Sequence, residues 1–423
     1  AIASFLNPPK GKGRIVFYAA VIVLFIICEV FGLAFNRTGR TGFNEYKPIY
    51  PALHVEGNKV ISEIKSPRGY YMTLDNFTER LDTDFSNNAR MLGAATPPTS
   101  YGLYSDGNRI TSLPKHAFHD MSYVKAALDS FPYQMLSYPD TLLIGTRGGF
   151  RIAEASSLGA SRVTAIEPDR TLFEIVSKQN HRDATLMQSS PASLASFGKK
   201  FDIIDVASDF LGQSEANKFA FTVEAVETYL AAVEDNGVVS IPVSIREFTV
   251  YAVKLTETVR TALINSGVQR PERHIIIYRS NWNARILVSK TPFTPEAVRL
   301  LKKFCDERSF DTSYYPGIDA AKVNVWNDLP LVSFEDETIV SSPDRAVDAL
   351  MDEAGKVLSG EPGFLEGHFF NLAPATNDRP FFYSILRPGN LVSILNKISI
   401  MPKEEIGYLV NVVVLAQAVF FGF

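Results

Sequence analysis

Residues 140–288 alternate between short apolar runs and longer amphipathic segments. "TLLIG" is followed by "RIAEASSLGA", "RVTAIE" by "TLFEIVSKQN", and "FDIIDV" by "FTVEAVETYLAAVED". Short apolar runs are typical of buried strands, and the longer segments have the spacing of helices that bury one face. Parallel strands need a crossover connection, which is usually a helix. The alternation therefore predicts an α/β fold, a parallel sheet with helices on both faces.

The end of this region departs from the alternation. The apolar runs "HIIIYR" and "ARILVSK" are separated only by "SNWN", which is too short for a crossover helix, so the two strands must pair antiparallel. A parallel sheet that ends in one antiparallel hairpin is the Rossmann-like arrangement of class I methyltransferase-type domains. The segment from Tyr314 to Gly367 is expected to be irregular, with one helix in "SPDRAVDALMDEAGKVL".

The rest of the chain divides around this core. Residues 36–115 are polar and rich in turn residues, with short apolar pieces, which predicts a small β-rich region. We expect, in chain order, a loop, a transmembrane helix, the small β-rich region, an α/β domain, an extension with a junction, and the start of a second transmembrane helix: residues 1–14, 15–35, 36–115, 116–313, 314–400 and 401–423.

Two apolar segments indicate a membrane location. Ile15 to Phe35 contains one charged residue, Glu29, and is long enough to cross a bilayer. Ile406 to Phe423 is also apolar and runs to the last residue, so we expect the chain to be part of a longer integral membrane protein. The alternative is that each segment is a buried core helix. Basic residues flank the first segment equally, so the positive-inside rule does not indicate which side the α/β domain faces.

Composition excludes some classes of function. The net charge is −4, which argues against a nucleic-acid-binding protein with a concentrated basic face. Cys28 and Cys305 are too far apart in sequence to suggest a disulfide framework. His116 and His119 form a close pair without a further clustered ligand, so no metal site is expected.

The stretch "LLIGTRGGFRIAEASSLGASRVTAIEPD" has the form of a cofactor site. Gly145 and Gly149 lie where the first strand ends and a helix begins, and glycines there let the backbone approach a ligand. Glu167 ends the second strand, where an acid would bind a ribose diol. This spacing favours an adenosine-type cofactor, and the alternative is that the two glycines serve only the tight turn.

From about Phe118 to Pro380 the chain resembles the spermidine synthase-like domains that are fused to membrane helices in bacteria. The resemblance is carried by the glycine stretch above and by "FAFTVEAVETYLAAVEDNGVVSIP", "ILVSKTPFTPEAVRLL" and "NDRPFFYSILRP". It implies an integral protein of a bacterial inner membrane. It also implies S-adenosylmethionine or its decarboxylated form as the cofactor, and transfer of an aminopropyl or methyl group.

The resemblance further implies an Asp-x-x-Asp stretch after the fourth strand, whose first Asp deprotonates the attacking amine. This chain instead reads "FDIIDVASDF", so Asp205 and Asp209 are the candidate bases at a different spacing. The central loop glycine is replaced by Arg147, and Arg151 follows in the helix. A cation there would repel a sulfonium or a polyamine.

Three interpretations of Arg147 and Arg151 are open: degeneration of the site, surface ion pairs with Asp169 or Asp205, or a site for an anion such as a phosphate. The first two predict a non-catalytic accessory or structural subunit of a membrane assembly, with protein partners in the membrane and no cofactor. The alternative is an active transferase in which Glu167 holds the ribose and Asp205 or Asp209 is the base.

Overall fold

The architecture is known from a computed structural model. It describes residues 12–37, 42–116, 120–179, 184–207, 219–246, 248–329, 331–332, 339–340, 346–396 and 403–422.

The main sheet has eight strands and is mixed. Its strands are β5 Asp140–Ile144, β6 Arg162–Ile166, β7 Ala184–Met187, β8 Phe201–Val206, β9 Val233–Ser244, β10 Ile275–Arg279, β11 Asn283–Val288 and β12 Asp311–Tyr314. Their order across the sheet is β12-β10-β11-β9-β8-β5-β6-β7. Strands β7, β6, β5, β8 and β9 are parallel, whereas β11 is antiparallel to both β9 and β10. The α/β prediction with an antiparallel hairpin at its end is confirmed.

Helices cover both faces of this sheet. They are α3 Phe131–Met135, α4 Phe150–Ser157, α5 Arg170–Val176, α6 Val223–Ala232, α7 Val250–Asn265, α8 Pro295–Arg308, α9 Ala349–Ser359, α10 Phe364–Gly367 and α11 Leu391–Asn396. Successive residues of β5 face opposite sides, so Leu142 and Ile144 pack in one core and Leu143 in the other. Each fully buried side chain of this kind contributes about 1.5–3 kcal/mol.

Two details of the sheet differ from the expectation. Strand β12 lies at its edge, paired antiparallel with β10, in a stretch "DTSY" that has too few apolar residues to be read as a strand. Strand β9 begins at Val233, where the sequence still suggests the end of a helix. In both cases pairing with a neighbouring strand decides the conformation rather than the local pattern.

The preceding region contains a four-stranded antiparallel sheet. Its strands are β1 Lys59–Ser66, β2 Gly69–Asp75, β3 Ser100–Ser105 and β4 Asn108–Pro114, in that order across the sheet, with the short helix α2 Ile49–Leu53 packed against it. This small sheet lies over the carboxyl ends of β5 and β6. The hydroxyl of Tyr71 donates to Asp169 at 2.5 Å, and Arg68 donates to the carbonyl of Pro168.

The C-terminal extension is fixed to the sheet edge by a buried ion cluster. Arg279 of β10 is fully buried and lies 3.2 Å from Asp311 and 3.0 Å from Asp348. Asp348 also caps α9 by accepting from the backbone N–H of Met351. The ion cluster therefore attaches the segment after β12, which the sequence predicts to be irregular, to the edge of the main sheet.

The two terminal segments are helical, α1 Lys12–Arg37 and α12 Lys403–Gly422. Within the portions of the chain that the structure describes, no helix meets the combined length and apolarity that crossing a membrane requires. The predicted transmembrane helices are therefore not supported by this structure. The helices do expose large apolar side chains, among them Phe25 and Leu415, each 66% accessible.

Candidate functional site

The glycine loop follows β5 at the carboxyl edge of the sheet, where open α/β folds bind ligands. Its backbone turns sharply. Gly145, Arg147, Gly148 and Gly149 have φ values of 86°, 51°, 64° and 99°. Glycine adopts this left-handed region readily, whereas a residue with a Cβ is strained there. Arg147 thus holds a conformation that favours glycine, so its side chain must be fixed by the surrounding structure.

Strand β4 of the small sheet closes the outer side of this loop. A Cβ added to Gly148 would lie 1.8 Å from the backbone oxygen of Ser112. The carbonyl of Gly148 accepts from the side chain of Gln179 at 2.9 Å. The backbone of Gly148 therefore approaches protein backbone closely, in the way that a cofactor-binding loop approaches a ligand.

Glu167 lies at the end of β6, as the sequence predicts. It is fully buried. Its carboxylate accepts from the hydroxyl of Thr146 at 3.1 Å and from the backbone N–H of Asp169 at 3.2 Å. Glu167 is thus bonded to donors of its own chain. The neighbouring Asp169 accepts from Tyr71. Burial and this hydrogen bond raise the pKa of Tyr71 to about 12, so the tyrosine remains a donor at neutral pH.

Arg147 points into the protein and is 3% exposed. Its Nη1 lies 3.1 Å from Asp129 Oδ2 and 3.2 Å from Glu154 Oε2. Its Nη2 donates to the backbone oxygen of Asp82 at 2.6 Å and to the hydroxyl of Thr83. The side chain therefore ties the loop that follows β2 to the α/β domain.

Arg151 is fully buried beside it and bonds the candidate base. Its Nε donates to Asp205 Oδ2 at 2.8 Å, and its Nη1 donates to Glu154 at 3.0 Å. Asp205 also accepts from Arg285 at 2.9 Å and from the hydroxyl of Tyr133 at 3.0 Å. Asp205 is 0% exposed, so no amine reaches its carboxylate without displacing one of these donors.

These groups form one network, which we call the arginine cluster and define by its six charged members: Arg147, Arg151, Arg285, Asp129, Glu154 and Asp205. Burial alone would raise the pKa of Asp129, but the guanidiniums of Arg151, Arg147 and Arg285 outweigh burial and lower it to about 2. The carboxylate of Asp129 therefore stays ionised inside the protein because three cations surround it.

The structure corrects the expected pairing of the arginines. They are not surface charges, since both are buried, and Arg147 bonds Asp129 and Glu154 rather than Asp169. Of the two acids that were expected as partners, Asp205 does pair with an arginine, Arg151. Because carboxylates and backbone oxygens hold both guanidiniums, the geometry disfavours the interpretation as an anion site.

Some members of the cluster escaped the sequence analysis. Arg285 could have been found, because an arginine within the apolar strand "ARILVSK" must have a buried partner. Glu154 follows Arg151 at a spacing that brings the two side chains together on a helix. Asp129 has no such signal, since its segment carries no distinctive pattern. The other candidate base, Asp209, and His119 of the histidine pair lie outside the described residues.

Two cavities adjoin the site. The first cavity, of about 290 Å³, lies between β4 and the α/β domain and is lined by Asp82, Asp84, Asp129, Arg147 and Arg285 among others. Burial raises the pKa of Asp84.

The second cavity, of about 710 Å³, lies at the ends of β6 and β7 and is lined by Pro168, Gln188, Phe219, Glu224 and Asn377 among others. The two cavities share no lining residue within the described part of the chain. In those same residues no group of histidine, cysteine and acidic side chains is placed to hold a metal ion.

The strand order, the antiparallel β10–β11 hairpin and the helices on both faces are those of a class I methyltransferase-type fold. No family model matches the chain, and no curated protein matches it by sequence.

Several solved structures are similar to part of the chain. A spermidine synthase from Thermotoga maritima is 20% identical, with a TM-score of 0.38, over 57% of this chain and 77% of that protein. A probable spermidine synthase from Corynebacterium glutamicum is 12% identical, with a TM-score of 0.41, over 59% and 87%. A TehB-like SAM-dependent methyltransferase from Corynebacterium glutamicum is 13% identical, with a TM-score of 0.29, over 38% and 88%. At these scores the fold assignment rests on the strand order and register of this chain.

Proposed function

We propose that this chain is a membrane-anchored, spermidine synthase-like domain that has lost transfer chemistry and serves as an accessory or structural subunit of a membrane assembly. The observation that carries the proposal is that Asp205, a candidate base, is buried and bonded to other side chains. A general base must reach the proton that it abstracts. Asp205 is fully buried and bonded to two guanidiniums and a tyrosine hydroxyl.

The residues present do not fit the reacting part of S-adenosylmethionine. Gly148 is covered by Ser112, and Glu167 is bonded to Thr146 and Asp169. Arg147 and Arg151 place two guanidiniums beside the loop, and the carboxylates of Asp129, Glu154 and Asp205 already pair with them, so none of these acids is free to bind the cationic end of the cofactor. No transfer step is therefore assigned to these residues.

The separation of the two cavities supports the same proposal. A group transfer needs donor and acceptor atoms held about 3–3.5 Å apart in one space. The first cavity lies on the side of β4 and the second on the side of β7, with different lining residues. Within the described residues the two cavities share no lining residue, so no common space for a donor and an amine is formed there.

The exposed apolar surface of α1 and α12 supports the membrane location. Besides Phe25 and Leu415, Val16 is 68% and Phe420 80% accessible. Side chains of this kind are stable against lipid or against the apolar surface of a partner helix. Fractionation tests this part: the whole chain should stay with the membrane after alkaline carbonate extraction, and release into the supernatant would contradict the location.

Calorimetric titration tests the loss of transfer chemistry. The whole chain in detergent is titrated with S-adenosylmethionine and with its decarboxylated form to millimolar concentration, and putrescine is then added while product is measured. We expect no heat of binding, no thermal shift and no product. Product formation would overturn the proposal.

A second candidate function, binding of a nucleoside without transfer, is favoured by the second cavity. It lies at the carboxyl ends of β6 and β7, and a volume of about 710 Å³ is within the range of small-molecule sites. Saturable heat with both cofactor forms and with adenosine, but no product, would favour this candidate over a purely structural role.

A further inference from the structure

The arginine cluster is electrically balanced. It contains three guanidiniums and three carboxylates, and each of the six residues is no more than 8% exposed. An unpaired charge in such a place costs several kcal/mol, whereas a paired one is tolerated. Removal of any one of the three guanidiniums would therefore leave a buried carboxylate without its compensating charge.

Arg147 differs from the other two arginines in its position. Arg151 and Arg285 bond Asp205, whereas Arg147 pairs with Asp129 and Glu154. Arg147 lines the first cavity together with Asp129 and Arg285. Its side chain thus connects Glu154, which does not line the first cavity, to the wall of that cavity.

The backbone at this position does not require an arginine. The φ of Arg147 is 51°, in the region that glycine adopts without strain. A glycine here would keep the loop, remove the guanidinium and extend the first cavity, which Asp129 already lines, toward Glu154. The cluster would then hold three carboxylates against two guanidiniums, one negative charge in excess.

We propose that Arg147 is a built-in cationic plug: its guanidinium fills the place and supplies the charge of a small cationic ligand, and the chain with glycine at this position binds a primary alkylammonium ion between Asp129 and Glu154. The inference rests on the proposed function, because it explains how the site is stable without a ligand. An alkylammonium fits because its N–H donors match two carboxylate acceptors and its short chain extends into the cavity.

Chemical rescue tests the plug. The Arg147→Gly variant of the whole chain should melt more than about 5 °C below the wild type. Addition of n-propylammonium chloride should raise its Tm in a saturable way, with a dissociation constant on the order of 1 mM, as expected for so small a ligand. Sodium chloride at equal ionic strength and the neutral analogue 1-propanol should have no such effect.

Arg279→Gly is the matched control. Arg279 is equally buried and also bonds two carboxylates, Asp311 and Asp348, but it does not line the first or the second cavity. Its variant should also lose stability, and n-propylammonium should not restore it. Equal rescue of both variants would overturn the plug, as would no rescue of Arg147→Gly.

A second pair of variants covers the case in which Arg147→Gly does not fold. Arg147→Lys keeps the positive charge, and Arg147→Met keeps the length without the charge. Because the plug acts through its charge, the Lys variant should be the more stable of the two, and a Met variant of equal or greater stability would overturn the proposal. All these tests use variants, so their failure is distinguishable from that of the wild-type titration with S-adenosylmethionine.

Discussion

The predicted cofactor site has two halves that differ in what fills them. The closed half consists of the glycine loop, Glu167 and the arginine cluster, where protein groups satisfy each other. The open half is the second cavity, where Gln188, Phe219 and Asn377 surround space. In the function proposed above, the closed half stands where a transferase would carry its reacting groups, and the open half is the place for a nucleoside. The difference teaches that one part of a predicted site can be filled by paired protein groups while the neighbouring part keeps a cavity.

The largest expected effect lies in the closed half. Arg151→Met removes the cation between Asp205, Asp129 and Glu154, and should lower the free energy of unfolding by about 3–5 kcal/mol, because buried carboxylates are left uncompensated. Urea unfolding of the whole chain in detergent measures it. The control Arg162→Met removes an exposed ion pair with Asp140 and should cost less than about 1 kcal/mol. Similar losses for both would contradict the burial of the cluster.

Closure of the glycine loop gives the next effect. Gly148→Ala should destabilise by about 2–5 kcal/mol, since a Cβ would meet the Ser112 oxygen at 1.8 Å in addition to the left-handed strain. Gly159 also has a positive φ, 97°, but a Cβ there meets nothing within 4 Å. Gly159→Ala should therefore cost only the strain, about 1–2 kcal/mol. If the two variants have the same melting temperature, β4 does not close the loop.

Acid should weaken the closed half selectively. The pKa of Asp129 is lowered to about 2 from an ordinary value of 3.8, so its stabilisation is fully present above pH 4 and is lost as the pH falls from about 4 to about 2. The expected loss is about 2–3 kcal/mol. Urea midpoints measured across this range for the wild type and Asp129→Asn check it, and the variant should show a flatter slope. An unchanged slope would contradict the ion pairs of Asp129.

The smallest effect is expected in the open half. Asn377 accepts from the hydroxyl of Thr222 at 2.9 Å at the rim of the second cavity. Asn377→Ala should cost about 0.5–1.5 kcal/mol, the usual net worth of one hydrogen bond. Thermal unfolding measures the loss, and a value comparable to that of Arg151→Met would contradict the distinction between the halves.

The sequence predicted correctly those features that depend on local pattern and on the length of a connection. The β–α alternation gives the parallel sheet, and the short "SNWN" connection gives the antiparallel hairpin. Strand β12 was missed because its pairing with β10 is decided by long-range contact. The position of Glu167 at a strand end was predictable, but its bonding to Thr146 was not, since the two residues meet only in the folded loop.

The sequence by itself determined the class of fold, the place of the glycine loop and the conflict created by an arginine within it. These follow from periodicity, connection length and charge, which are local properties of the chain. Only the tertiary structure decided how the conflict is resolved. Arg147 meets Asp129, Arg151 meets Asp205, and Ser112 covers Gly148 because residues far apart in sequence are brought together at the carboxyl edge of the sheet. Burial then makes every one of these charges dependent on its partner, a dependence that no single segment of the sequence contains.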